Sequence, residues 1–444
     1  MDLKLMVFQQ NSQLIYQFLP FPFALLYYIL ARQGCLSSTN RYVYLALGGC
    51  VLAMVSMGSY CWLVFVPVGA SAVLVPSARS LHAHTCVFGA QMCWQTGWHL
   101  FIQYKEYWLQ EPVDTRLLIA VSSLMLLTQR ITSVSMDLQE GKLTGTQSVG
   151  SATSALAPHL AGTQSVGSAT SALQYLSYTL YFPGLLGGPL CSFQQFVSFV
   201  EQRVSPAPQP LYAVCCKVCW ALGLQWGKCV LVDVMERYSP GLAQLSAVQS
   251  TLWVLGLALV FRLSYYSHWA LSAGLNNAAG LGFRGYSGRG VPRWDGVSDG
   301  DPWTLETCSR PSAFARHWNG TTAAWLRRAV FQRCRTAPLA MTFGFSAWWH
   351  GLHPGQVLGF LLWGVAVKAD YRIHQRVRPL LTSPATQRLY RGLGWAHTQL
   401  LIACVVVAVE LRGACFMWLL WKTHISVFLL LYVILLFFLP QKHP

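Results

Sequence analysis

Apolar residues in this chain come in long runs. Stretches near 14–31, 43–57, 61–77, 85–104, 117–129, 211–233, 243–262, 398–420 and 425–440 are almost continuously hydrophobic. Several approach the roughly 20 residues of helix that a bilayer requires. Two more runs, 173–200 and 338–367, carry Pro and Gly in mid-stretch and read as broken or re-entrant segments. The pattern predicts an all-α polytopic membrane protein with about eleven transmembrane helices and a re-entrant segment.

The segment 338–367 has its own geometry. From Pro338 to Trp349 there are 12 residues, about 18 Å of helix, and from Gly355 to Val367 there are 13, about 20 Å. Neither half crosses a hydrocarbon core of about 30 Å. If both flanks are cytoplasmic, the connecting stretch His350-Gly-Leu-His-Pro-Gly355 lies at membrane depth, where irregular backbone is tolerated only inside protein or beside a wet cavity; an ordinary crossing by a longer tilted helix is the alternative reading. Ala340 with Gly344, and Gly355 with Gly359, form small-xxx-small pairs that let neighbouring helices approach closely.

Composition agrees with a membrane protein. Of 444 residues, 54% are hydrophobic and 10% charged, against roughly 25% charged in a soluble domain. Mean hydropathy is +0.40. No small-x-small cleavage site follows a short apolar core near the start, so the first helix is expected to be retained. The 14 cysteines lie mostly inside apolar runs. Cys216-Lys-Val-Cys219 is the only CxxC and has no second pair for zinc, so these residues are expected to serve as small apolar side chains.

Charge bears on topology and partners. The net charge is +16, from 31 basic and 15 acidic side chains. Basic residues are scattered around membrane segments without a nucleic-acid-binding motif, so no nucleic acid is expected as a partner. Nine arginines lie between Arg284 and Arg335, and six Lys or Arg between Lys368 and Arg391. The positive-inside rule puts both regions on the cytoplasmic side. A second use of this charge is to attract a polyanionic co-substrate, such as a coenzyme carrying phosphates.

Two polar stretches interrupt the apolar pattern. GTQSVGSATSAL occurs at 145–156 and again at 162–173, a tandem repeat too short and polar to bury a core; 144–173 is expected to be a flexible loop. The other, 284–337, runs from GYSGRG through WDGVSDGDPW into SAFARHWNGTTAAWLRRAVFQR. It is read as a cytoplasm-facing loop ending in an Arg-rich interfacial helix that carries Trp318 and Asn319 towards the 338–367 segment.

His350 is the leading candidate for chemistry. An ionisable side chain deep in a membrane protein points to function, and burial favours the neutral, proton-accepting imidazole. The competing reading is a hydrogen-bonded core histidine at a structural kink. His353, three residues on, has no Asp, Glu or Cys beside it in sequence to complete a metal site, so no metal is expected. Asn319 is the second candidate, as an amide that holds a carbonyl or a hydroxyl nucleophile in place. It also forms the chain's only N-glycosylation sequon, Asn319-Gly-Thr321, but the surrounding arginines argue against a lumenal position. No GxSxG, Walker A or HExxH motif is present, leaving serine-hydrolase, nucleotide-hydrolysis and zinc-peptidase chemistry without support.

SAWWHGLHPG at 346–355, with WNGTTAAWLR at 318–327, resembles the signature of the membrane-bound O-acyltransferase (MBOAT) family. FPFALLYYIL, MGSYCWLVF, EPVDTRLLIAVSSLMLLTQRITS, YFPGLLGGPLCSFQ and WTLETCSR extend the resemblance over most of the chain. It implies one MBOAT membrane domain over 1–444, with helices around a central tunnel. It further implies transfer of a medium-chain acyl group, chiefly octanoyl, from acyl-CoA to a serine hydroxyl of a peptide-hormone precursor in the endoplasmic reticulum membrane. Acyl-CoA would be a co-substrate, with no other cofactor, and the remaining partners would be membrane lipids. By the same resemblance His350 is the general base or a residue orienting it, and Asn319 positions the donor or stabilises the oxyanion. Arg316, Arg327 and Arg328 would meet the donor's phosphates, and Trp318 and Trp349 are counted with the substrate contacts. Phe343 and Trp363, in the half-helices flanking His350, are expected to wall the acyl pocket, with plain core packing an equal reading. A lysophospholipid acyltransferase of the same family is one alternative. A proton-coupled transporter is another, but it calls for ionisable residues across several spans and an inverted repeat, neither of which is evident.

Overall fold

The computed structural model describes residues 14–77, 83–140, 172–201, 208–238 and 246–413. Some helices begin where a side chain caps them, and others at proline without a side-chain cap. A short helix α1, Leu14–Phe18, leads into α2, Phe21–Arg32. Ser37 accepts the Asn40 N–H to start α3, Ser38–Met57, which passes through a 3₁₀ turn into α4, Trp62–Ser77. Helix α5, Ala83–Gln103, runs into a π-helical turn at Tyr104–Leu109, and Asp114 caps α6, Thr115–Gln139. The short α7, Ala172–Thr179, and α8, Phe193–Glu201, flank an irregular stretch. Helices α9, Leu211–Arg237, and α10, Ala247–Ala279, follow, the latter opened by a capping box between Ser246 and Gln249.

Four short or broken elements then lead to the C-terminal helices. These are α11, Pro302–Glu306; α12, Pro311–His317; α13, Gly320–Leu326; and a π-helical turn, Arg327–Phe331. The last three helices are α14, Pro338–His350, α15, Pro354–Val377, and α16, Pro384–Leu411. Among the described residues the backbone forms no sheet, only an isolated bridge between Tyr286 and Pro292.

Six stretches among the described residues are long and apolar enough to cross a membrane: Leu14–Arg32, Ser38–Val75, Thr115–Gln139, Leu211–Arg237, Ala247–Ala279 and Pro384–Leu411. The expectation of about eleven also drew on 85–104, which forms α5 with a buried polar stripe, and on 425–440, which lies outside the described residues. The tandem repeat, apart from Ala172 and Leu173, lies outside them as well.

The 173–200 run is broken, as its Pro and Gly predicted. The carbonyls released there are met by buried Arg130 of α6, which donates to Thr179 O at 3.1 Å and to Gly184 O. Cys216 and Cys219 are exposed on the outer face of α9, where the surrounding solvent for a small apolar side chain is lipid. Ion pairs tie the 284–337 region to α10 and α15, among others. Buried Arg262 of α10 donates to Glu306 at 2.9 Å, and Arg310 makes a forked contact with the buried carboxylate of Asp370 on α15, at 3.0 Å through Nη2.

Candidate active site

Helix α14 has 13 residues, about 20 Å, and stops at His350. The chain turns through Gly351 at φ +123° and Leu352 at φ +60° before Pro354 starts α15. A positive φ is cheap for glycine and uncommon for leucine, so the turn is held by its surroundings. Helix α15 is longer than its sequence suggested, with 24 residues or about 36 Å, because its Arg-rich end stays helical to Val377. Close packing brings Phe343 of α14 against Trp363 of α15, with ring centroids 5.7 Å apart. The two helices therefore form a hairpin with His350 at its tip. Gly355 and Gly359 press against α16 as the small-residue spacing predicted; a Cβ at Gly359 would lie 3.0 Å from Val409 Cγ2. Gly344 meets nothing within 4 Å.

The two histidines of the turn differ. His353 is buried, with Nδ1 3.1 Å from the Tyr107 hydroxyl and 3.7 Å from Glu106 Oε2. It is the satisfied core histidine. The His350 ring is half-buried and makes no hydrogen bond among the described residues. It is sandwiched by aromatic surfaces, stacked on Phe360 at 4.8 Å and edge-on to Trp349 at 4.8 Å. Close to it, Trp349 Nε1, Trp363 Nε1 and Gln356 Oε1 are buried without partners among the described residues. Such atoms call for a water or a ligand.

Asn319 separates α12 from α13. The run read as one amphipathic helix is broken there, because Asn319 takes the left-handed conformation at φ +46° that asparagine tolerates better than most residues. At a helix N-cap its side chain would ordinarily accept a backbone N–H, yet here it caps nothing. The Gly320 N–H goes instead to Asp299 O at 2.6 Å. The Thr321 hydroxyl donates to the Asp299 carboxylate and accepts from Leu190 N at 3.1 Å. The Asn319 amide is thus left for another partner.

A path of rings joins the two candidates. Trp318 stacks on Phe314 at 5.4 Å, Phe314 meets Trp363 at 6.1 Å, Trp363 stacks over Phe360 at 6.5 Å, and Phe360 carries His350. On the other flank Trp325 of α13 touches Trp349 at 5.4 Å and donates its indole N–H to Thr132 at 3.0 Å. The arginines divide. Arg328 pairs with Asp137 at 2.7 Å and Glu140 at 3.0 Å, so its charge is already balanced. Arg316 is exposed and donates to the Tyr371 hydroxyl at 3.1 Å; Arg327 is exposed.

Sequence reasoning missed the helix behind the turn. Gln95, His99 and Gln103 of α5 reach the backbone at residues 349 and 351. Their signal was a polar residue every fourth position, from Gln91 to Gln103, inside an apolar run. Asp299 and Phe360 had no comparable signal.

Helices of membrane length thus accompany a hairpin with a histidine at its tip. The model of the membrane-bound O-acyltransferase family, MBOAT, matches residues 83–409, and the chain belongs to that family. It is therefore a multi-pass membrane acyltransferase. It is 43% identical to the rat protein named "Membrane-bound ghrelin O-acyltransferase MBOAT4" over 96% of both chains. The mouse protein of that name is 42% identical, again over 96% of both. The rat "Membrane-bound glycerophospholipid O-acyltransferase 2" is 29% identical over 84% of this chain and 73% of its own.

Proposed function

We propose that this enzyme transfers a medium-chain acyl group, chiefly octanoyl, from acyl-CoA to a serine hydroxyl of the proghrelin peptide in the endoplasmic reticulum membrane. The observation that carries this reading is the 43% identity over 96% of both chains to a relative named for ghrelin acylation, against 29% to one named for glycerophospholipids.

In the proposed reaction the His350 imidazole takes the serine proton as Oγ attacks the thioester carbonyl. The new C–O bond forms, the C–S bond breaks, and the proton passes to the departing CoA thiolate. The free Asn319 amide faces the donor, holding its carbonyl or the oxyanion. Two substrates held in line gain from proximity, so no acyl-enzyme is needed. The donor enters from the cytoplasmic side, where exposed Arg316 and Arg327 meet its phosphates; Phe343 and Trp363 line the acyl chain, and Trp318 and Trp349 complete the walls. The peptide arrives from the lumenal side at the hairpin tip.

The test is acyl transfer from labelled octanoyl-CoA on membranes, with proghrelin peptide and lysophospholipid as competing acceptors. Label on the peptide serine supports the reading; label on the lipid alone replaces it with a phospholipid activity. His350→Ala is expected to lower transfer by about 10²–10⁴-fold at unchanged expression. Retained activity removes His350 from the role of base.

A further inference from the structure

Helix α14 ends with four carbonyls that no later residue of the same helix can satisfy. Two of them, Ala347 O and Trp348 O, are met by the turn itself through Gly351 N and Leu352 N. The next carbonyls lie on either side of His350, and α5 supplies their donors. Gln95 Nε2 donates to Trp349 O at 2.6 Å, and His99 Nε2 lies 3.2 Å from the same oxygen. Gln103 Nε2 donates to Gly351 O. These three residues recur every fourth position on one face of α5, and Gln95 and His99 are buried. The Gln95 amide is oriented in turn by α6, through the Thr128 hydroxyl at 3.0 Å from Oε1. The His99 ring lies against the turn so closely that a Cβ on Gly351 would sit 2.9 Å from its Nδ1.

We propose that His99, with Gln95 and Gln103, positions His350: the α5 face grips the backbone immediately before and after the histidine and fixes the direction of its ring. His99 is a positioning residue: with the proton on Nε2 it donates to the Trp349 carbonyl, and with the proton on Nδ1 it accepts from Gln95 Nε2, 3.2 Å away. The inference deepens the acyltransferase reading and rests on it for its kinetic test. The physical reason is that among the described residues the His350 ring makes no hydrogen bond and meets the rings of Phe360 and Trp349, contacts without the directionality of a hydrogen bond. Directional restraint must come through the backbone. A misplacement of about 1 Å at a reacting group costs on the order of 10²-fold in rate.

The experiment uses the full-length enzyme in membranes, with rates normalised to folded protein. His99→Ala is expected to lower kcat about 10–100-fold while KM for octanoyl-CoA stays within about threefold. His99→Gln, which restores an N–H donor, is expected to raise kcat about threefold or more over His99→Ala. Gln103→Ala follows His99→Ala in direction, and Cys93→Ser, on the exposed face of the same helix, leaves kcat unchanged. A second readout needs no turnover: carbethoxylation of His350 by diethyl pyrocarbonate, followed by mass spectrometry, changes rate severalfold in His99→Ala. Wild-type protein without acyl transfer would defeat the functional reading and leave this readout intact. Unchanged kcat in His99→Ala, or no recovery in His99→Gln relative to it, overturns the positioning role.

Discussion

The imidazole of His350 lies over the ring of Phe360, centroids 4.8 Å apart and planes inclined by 27°. The two residues stand on opposite arms of the hairpin, so the stacking closes the turn on itself and keeps one face of the imidazole away from water. The polar work is divided across the site: side chains of α5 meet the backbone carbonyls of the turn, and apolar support comes from α15.

That contact leads to the first prediction. Phe360→Leu keeps an apolar side chain but removes the flat face, a contribution of about 0.5–1.5 kcal/mol for a ring pair. If the face holds His350 in the reactive orientation, kcat falls about 3–10-fold with little change in KM. Equal kinetics for Phe360→Leu and wild type would show that the ring only fills space.

Gly355 sets how close α15 approaches α16. A Cβ there would overlap the Ala408 carbonyl oxygen and come within 3.0 Å of Arg412 O, which also accepts the Gly355 N–H at 2.8 Å. Backbone cannot move aside as a flexible side chain can. Gly355→Ala is expected to destabilise by about 1–3 kcal/mol, read as a lowered Tm in detergent. Gly344→Ala, with nothing within 4 Å, should leave Tm nearly unchanged.

Asp299 supplies a pH dependence outside the membrane-spanning helices. Its buried carboxyl is raised from 3.8 to about 6 by desolvation, with the Thr321 hydroxyl opposing. A carboxyl that binds its proton more tightly in the folded than in the unfolded chain lowers stability while ionised. The penalty is present above about pH 6 and is relieved as pH falls towards 4, where the unfolded chain still ionises. The full difference is about 3 kcal/mol. Asp299→Asn still accepts from Thr321 and cannot ionise, so its Tm should vary less with pH between about 4 and 7 than that of wild type. Parallel curves for the two proteins would rule this out.

The arginines separate by salt bridge. Arg328→Ala removes the cation beside Asp137 and one of those beside Glu140, which keeps Arg333 at 3.8 Å, and is expected to lower Tm. Arg327→Ala and Arg316→Ala are expected to raise KM for acyl-CoA severalfold at low salt, with the effect shrinking as salt screens the charges. A wild-type KM in both Arg316→Ala and Arg327→Ala would take these two arginines out of donor binding.

The sequence alone was sufficient for the helical membrane class and for the break just after His350, and it singled out His350 and Asn319 as candidates. Each of these is a local matter: runs of apolar residues, helix-stopping residues, and polar groups set where lipid or packing would be expected. Even the α5 stripe was visible as a period of four, though nothing in it named its partner. Tertiary structure decided which of the two turn histidines is satisfied, because Tyr107 and Glu106 lie some 250 residues away in the chain. It alone put Asp299 under Thr321 and Phe360 under His350, and gave Arg328 to Asp137. Sequence periodicity reports which face of a helix is polar. Which carbonyl, carboxylate or ring meets that face depends on how separate helices pack, and that is set by shape and burial across the whole bundle.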